Sequence, residues 1–242
     1  MRNIRVTRSV IPNLFTTLNM FSGFVSIIYA HERNFFEAAI LIIVATIFDA
    51  LDGIMARLTK SSSEFGVELD SLSDLVSFGV APSFLLYQIY LFQYNVTGII
   101  LSSFIMVAGG LRLARFNVQL VGFDKPYFIG LPIPSSAITI ASFVLIYNQE
   151  GKLIPPSGDF VIPLIIILSF LMVSKIRYET IPKFSKKGIK DRPYSFVFVL
   201  ISLIILVITN GKALFYIFVL IILLGILRYI FTMIFGKNKN GS

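Results

Sequence analysis

Residues 193–209 and 212–235 are almost unbroken runs of Ile, Leu, Val and Phe. A helix of about 20 such residues is long enough to cross a bilayer, so a chain that carries several is constrained first of all to be a membrane protein. Eight apolar segments can be drawn, at about 12–30, 35–58, 66–91, 96–116, 131–148, 159–176, 193–209 and 212–235. Lipid offers a backbone no hydrogen bonds, so each segment must satisfy its own as a helix. The expected fold is all-α and polytopic, with about eight transmembrane helices in one integral membrane domain over residues 1–242 and no separate soluble domain.

Charge sets the orientation. The formal net charge is +8. In a soluble chain that excess would suggest nucleic acid, but between apolar spans it reports topology and anionic membrane lipids, and no nucleic-acid partner is expected. With the N-terminus inside, 18 of the 21 Lys and Arg lie on the inner side and Arg33, Lys152 and Lys212 outside. Both termini are therefore expected in the cytoplasm, in a multi-pass protein of the cell membrane. Arg2, Arg5 and Arg8 are spaced three apart in MRNIRVTR, as in a short basic segment lying on the membrane surface, and no cleavage pattern follows. The basic loop 175–192 has the same topological reading. Without cysteine, disulfides and thiolate metal sites are excluded. Pro82 and Pro163 are expected to kink or open the third and sixth helices, whereas Pro132 and Pro134 fall where a helix start tolerates them.

One stretch does not belong in lipid. Asp49, Asp52, Gly53 and Ala56 fall on one helical stripe with Arg57 at its edge, and after a polar loop Gly66, Asp70 and Asp74 repeat at intervals of four. An aspartate near the centre of a membrane helix costs roughly 2.5–3.5 kcal/mol, so four cost about 10 kcal/mol if nothing compensates them. Arg57 offsets one charge. Divalent metal is the natural complement of the rest, because oxygen-only ligands suit Mg²⁺ or Mn²⁺ held between carboxylates and substrate phosphates.

Written out, the stretch reads D-x-x-D-G-x-x-A-R, eight residues, then G-x-x-x-D-x-x-x-D. It resembles, at every fixed position, the signature of the CDP-alcohol phosphatidyltransferases. The resemblance implies transfer of a phosphatidyl group from a CDP-linked lipid to an alcohol with release of CMP, in a homodimer. It also implies that Asp49, Asp52, Asp70 and Asp74 bind two divalent ions, Mg²⁺ or Mn²⁺, and that Asp74 is the general base for the acceptor hydroxyl. Gly53, Ala56 and Gly66 leave room for the nucleotide, and Arg57 contacts its phosphates or pairs with a carboxylate. Asn13 and Thr16 of IPNLFTTLN lie in a region that helps frame the nucleotide in the family, although an Asn at a helix start can equally be a cap. On this reading the helices of about 12–148 form the catalytic core and those of about 159–235 are additional.

The motif sets the donor and leaves the acceptor open. IPNLFTTLNMFSG at 11–23, RLARFN at 112–117 and FIGLPIPSSA at 128–137 look like the phosphatidylserine synthase branch of the family, which implies L-serine as acceptor. Arg112 and Arg115, three apart at the inner end of the fourth helix, suit the serine carboxylate, or else snorkel to headgroups. Asn117 can hydrogen-bond the serine or cap its helix. Two competing readings remain at this point. The same chemistry can serve glycerol 3-phosphate or an inositol phosphate, with acyl or ether-linked lipid as donor. Alternatively, intramembrane carboxylates can belong to a divalent cation transporter, although the outer halves of the spans hold no acidic residue beyond Glu37 and Asp159 at their outer ends.

Overall fold

The computed structural model describes residues 10–59, 63–119, 127–179 and 193–235. Each of the eight expected apolar segments is helical. Helix α1 (Val10–His31) and α2 (Phe35–Thr59) form a tightly packed pair, joined by a turn in which Arg33 takes a φ of 63°. The third segment runs through α3 (Glu64–Asp74), one π-helical stretch (Leu75–Val80) and α4 (Ala81–Ile89). Helix α5 (Asn95–Gln119) follows a short 3₁₀ turn, and then come α6 (Ile133–Tyr147), α7 (Val161–Val173), α8 (Pro193–Ile208) and α9 (Leu214–Phe235). Five helical segments are long and apolar enough to cross a membrane, with α6, α7 and α8 shorter, as expected of an all-α polytopic membrane protein.

The π-helical stretch has a local cause. Pro82 has no N–H to donate, and its ring crowds the preceding turn. Immediately before it the backbone widens, so that the Ala81 N–H reaches the carbonyl of Val76, five residues back. The third helix therefore opens where Pro82 predicts. Pro163, expected to kink the sixth segment, instead lies in the first turn of α7, where a missing N–H costs nothing. Pro132 caps α6 and Pro134 occupies its first turn, as expected.

Four short strands are additions that the apolar pattern did not announce. Strand β1 (Tyr127–Ile129) pairs antiparallel with β4 (Arg177–Glu179), opposing Phe128 to Tyr178. Strands β2 (Asn148–Gln149) and β3 (Lys152–Leu153) form a hairpin whose turn residues, Glu150 and Gly151, both have positive φ. The core lies between α1, α2, the third segment, α5, α6 and α7, where Ile42, Phe78, Leu85, Leu86, Ile105 and Ile140 are fully buried. Helix α9 packs on α6 and β4, and the described side chains of α8 are mostly exposed. The N-terminal basic segment, most of the 175–192 loop and the C-terminal tail lie outside the described residues.

Candidate active site

Near its C-terminal end α2 carries Asp49 and Asp52, and α3 carries Asp70 and Asp74. Carboxylate oxygens of Asp49, Asp70 and Asp74 lie within 4.8 Å of one another. The fourth aspartate stands beside this group rather than in it. Asp52 is buried, its charge interacts with those of Asp49 and Asp70, and its Oδ2 accepts a hydrogen bond from Thr16 Oγ1 at 2.9 Å. Asp70 Oδ1 is buried with no hydrogen-bond partner among the described residues. Three carboxylates this close repel unless a cation sits among them, and the donor set is oxygen only. The cluster fits a hard divalent ion.

Helix α1 contributes no carboxylate, yet it arranges them. It packs against α2 and also against α3 and the π-helical stretch. Ser73 Oγ donates to the Thr16 carbonyl at 2.9 Å, and one turn further on Ser77 Oγ donates to the Asn19 carbonyl at 2.8 Å. Small residues make this approach possible, for a Cβ on Gly23 would lie 2.6 Å from Ser77 Cα. The side chains of the same α1 turns reach the acidic groups, Thr16 to Asp52 and Asn19 to Asp74, whose Oδ1 accepts from Asn19 Nδ2 at 3.4 Å.

Around the carboxylates the remaining motif residues take distinct places. Gly53 is half-buried, but a Cβ there would meet nothing within 4 Å, so its small size serves open space and not helix packing. Ala56 is half-buried one turn on, and Arg57 is exposed in the last turn of α2. Gly66 lies in the first turn of α3, where its N–H is capped by Ser63 Oγ at 3.1 Å. A Cβ on Gly66 would come within 3.5 Å of Asn13 Oδ1, which brings Asn13 to the same corner. Asn13 is inside the first turn of α1, and its carbonyl accepts from Thr17.

The three residues of α5 expected at the acceptor diverge. Arg112 is buried, 6% exposed, and its charge interacts with that of Asp74. Arg115 turns instead to the C-terminal end of α7, donating from Nη1 to the Val173 carbonyl at 2.9 Å. Its Nη2 donates to those of Ile129 at 3.0 Å, Met172 at 3.3 Å and Ser174 at 3.4 Å. Asn117 is engaged with Ser71 of α3, donating to its Oγ at 2.9 Å. Arg115 thus caps a helix end and Asn117 ties two helices, engagements that stand beside the acceptor contacts expected of them.

Sequence reasoning missed Asn19, Ser71, Ser73 and Ser77. A signal existed for the first: Asn19 lies three residues after Thr16 in an apolar helix, where a polar amide needs a reason. The serines gave none, since Ser in a membrane helix commonly bonds its own backbone.

Two helices bearing paired aspartates, held by a third so that three carboxylates converge, make a cluster whose oxygen-only donors suit a divalent ion. The sequence pattern of CDP-alcohol phosphatidyltransferase matches residues 9–174, and the chain belongs to that family. Among curated relatives it is 40% identical over 232 residues to the CDP-diacylglycerol–serine O-phosphatidyltransferase of Helicobacter pylori strain J99, covering 95% of this chain and 96% of that protein. It is 33% identical over 181 residues to the enzyme of the same name from Bacillus subtilis, covering 75% of this chain and 96% of that protein. It is also 40% identical over 173 residues to the archaetidylserine synthase of Methanothermobacter thermautotrophicus, covering 71% of this chain and 70% of that protein.

Proposed function

We propose that the protein transfers a phosphatidyl group from a CDP-linked lipid to the hydroxyl of L-serine, giving phosphatidylserine and CMP. The observation that carries this reading is the convergence of Asp49, Asp70 and Asp74 from the two halves of the motif. The names of the relatives support serine as acceptor and leave diacyl and ether-linked donors both open.

Asp49, Asp52, Asp70 and Asp74 would hold two divalent ions, Mg²⁺ or Mn²⁺, which when bound neutralise charge on the diphosphate. Asp74 accepts the proton of the serine hydroxyl as its oxygen attacks the phosphorus of the phosphatidyl group. The phosphoanhydride bond breaks, and CMP leaves with the electron pair. The open space beside Gly53 admits the nucleotide against α2, with Ala56, Gly66, Asn13 and Thr16 around it and Arg57 offering its guanidinium to the phosphates. Arg112, buried on α5 with its charge interacting with that of Asp74, takes the serine carboxylate.

Beyond the carboxylates, Phe78, Leu85 and Leu86 fill the bundle with apolar side chains. That filling supports an enzyme that works from one side over a transporter with a polar path. By the distribution of Lys and Arg, the working side is the cytoplasm. The assembly we propose from the family resemblance is a homodimer. The test is CMP release by the purified protein from CDP-diacylglycerol and Mg²⁺, with L-serine, glycerol 3-phosphate or inositol phosphate added separately. Release is expected with serine alone and to fall about 10²–10⁴-fold in Asp74→Asn. Release with another acceptor, or with none, refutes the reading.

A further inference from the structure

Asn19 is fully buried in α1, and only one end of its amide is used by the protein. Nδ2 donates to Asp74 Oδ1 at 3.4 Å, while the buried Oδ1 of Asn19 accepts nothing among the described residues. The reverse orientation would turn a carbonyl toward a carboxylate, so electrostatics favours this one. The residue has little freedom to withdraw, because Ser77 Oγ holds its backbone carbonyl at 2.8 Å. A buried carbonyl without a donor is costly, and native sites seldom leave one unless something else supplies the hydrogen bond. Both heteroatoms of an amide sit on one carbon, so this unused acceptor lies close beside Asp74.

The geometry points to Asn19 as a specificity-determining residue, whose Oδ1 accepts a hydrogen bond from the ammonium group of the acceptor while Asp74 takes the hydroxyl proton. The inference rests on the proposed reading of L-serine as acceptor. Serine carries its hydroxyl and ammonium on adjacent carbons, so a molecule that presents the hydroxyl to Asp74 brings its N–H donors to the neighbouring side chain. The single hydroxyl proton goes to Asp74, which leaves the ammonium as the donor for Asn19. Arg112, whose charge interacts with that of Asp74, remains for the carboxylate. Three groups of the acceptor then meet three chemically matched side chains from α1, α3 and α5. An alcohol without the amine would leave the Asn19 carbonyl unsatisfied, and sites built around a hydrogen bond reject analogues that lack it.

The test uses the full chain with CDP-diacylglycerol and Mg²⁺, and compares L-serine with 3-hydroxypropanoate, which keeps the hydroxyl and carboxylate and lacks the amine. CMP release is measured for the wild type, Asn19→Ala and Asn19→Ser. The wild type is expected to prefer serine by about tenfold or more in kcat/KM. In Asn19→Ala the ratio of kcat/KM for serine to that for the analogue should collapse, because the loss from releasing Asp74 falls on both acceptors alike while the loss of the ammonium contact falls on serine only. Asn19→Ser, whose uncharged hydroxyl can both donate to Asp74 and accept from the ammonium, should retain the preference. An equal loss with both acceptors in Asn19→Ala would mean that Asn19 acts only through Asp74, and would overturn the inference. If Asn19→Ala is inactive or misfolded, Asn19→Ser decides: preference retained supports the inference, preference lost overturns it. A wild-type protein that releases no CMP with serine refutes the serine reading itself, an outcome recognisable without any substitution.

Discussion

Replacing Arg115 separates two employments of one guanidinium. The family resemblance suggests a place at the acceptor, and in the structure it spans the end of α7 and the last residue of β1. Of its four hydrogen bonds, those to Val173 at 2.9 Å and Ile129 at 3.0 Å are well formed, and the two longer ones share Nη2 with the latter. A hydrogen bond to a charged group contributes roughly 1.5–3 kcal/mol. The site is half-buried, so water can replace part of what is lost, and Arg115→Ala should destabilise by about 2–4 kcal/mol. For a chain of this size each kcal/mol moves the midpoint by about 2–4 °C, giving a fall of about 5–15 °C in thermal unfolding of the detergent-solubilised protein. Arg115→Lys should recover only part of this, because an ammonium cannot bridge two carbonyls as a planar fork does. The serine KM, measured well below the new midpoint, should change less than threefold or so. An unaltered unfolding midpoint with a much raised serine KM would refute the reasoning and return Arg115 to the acceptor.

Other substitutions probe the donor side and the helix packing. Gly53→Ala should leave stability unchanged or higher by up to about 1 kcal/mol, because the helix gains a better former and the new Cβ meets nothing within 4 Å. If the nucleotide uses that space, the KM for the CDP-linked lipid rises in the same variant, as initial rates against donor concentration would report. Gly23→Ala should cost about 1–3 kcal/mol and most of the CMP release, since its Cβ would lie 2.6 Å from the Ser77 backbone and must push α1 away. Treatment with a chelator should abolish CMP release and also lower the unfolding midpoint, both restored by Mg²⁺ or Mn²⁺. At an effective dielectric constant near 20, two carboxylates 4.8 Å apart repel by about 3 kcal/mol, and the cluster contains three such pairs.

What was legible in the sequence was whatever a single segment decides alone. Lipid enforces helix on every long apolar run, so all eight segments were visible, and the 3.6-residue period put the aspartates on two stripes. The strands escaped because their partners are distant: Phe128 pairs with Tyr178 across α6 and α7, and three residues carry no pattern of their own. The π-helical stretch was half legible, announced by Pro82 but defined by a bond between Ala81 and Val76. The α7 contacts of Arg115 escaped for a similar reason. Spacing shows that it shares a face with Arg112, but the carbonyls at the end of α7 lie 57 or more residues further along the chain. Asp52 looked equivalent to the other three aspartates until Thr16 was seen to hold it.

The motif that identifies the chemistry lies on α2 and α3, whereas its geometry is imposed from α1. Mutual repulsion of the carboxylates drives α2 and α3 apart, and apolar packing alone gives no register to helices that can slide against each other. Register comes from paired contacts at matching intervals. Ser73 and Ser77, four apart on the third segment, bond the carbonyls of Thr16 and Asn19, three apart on α1. The side chains of those same two α1 residues hold Asp52 and Asp74. Each turn of α1 thus fixes both the position of a neighbouring helix and the orientation of a carboxylate. A rotation of α1 that broke the backbone contacts would release both acidic side chains at once. The stretch IPNLFTTLNMFSG, which has no acid and no base, is for that reason as much a part of the site as the aspartates.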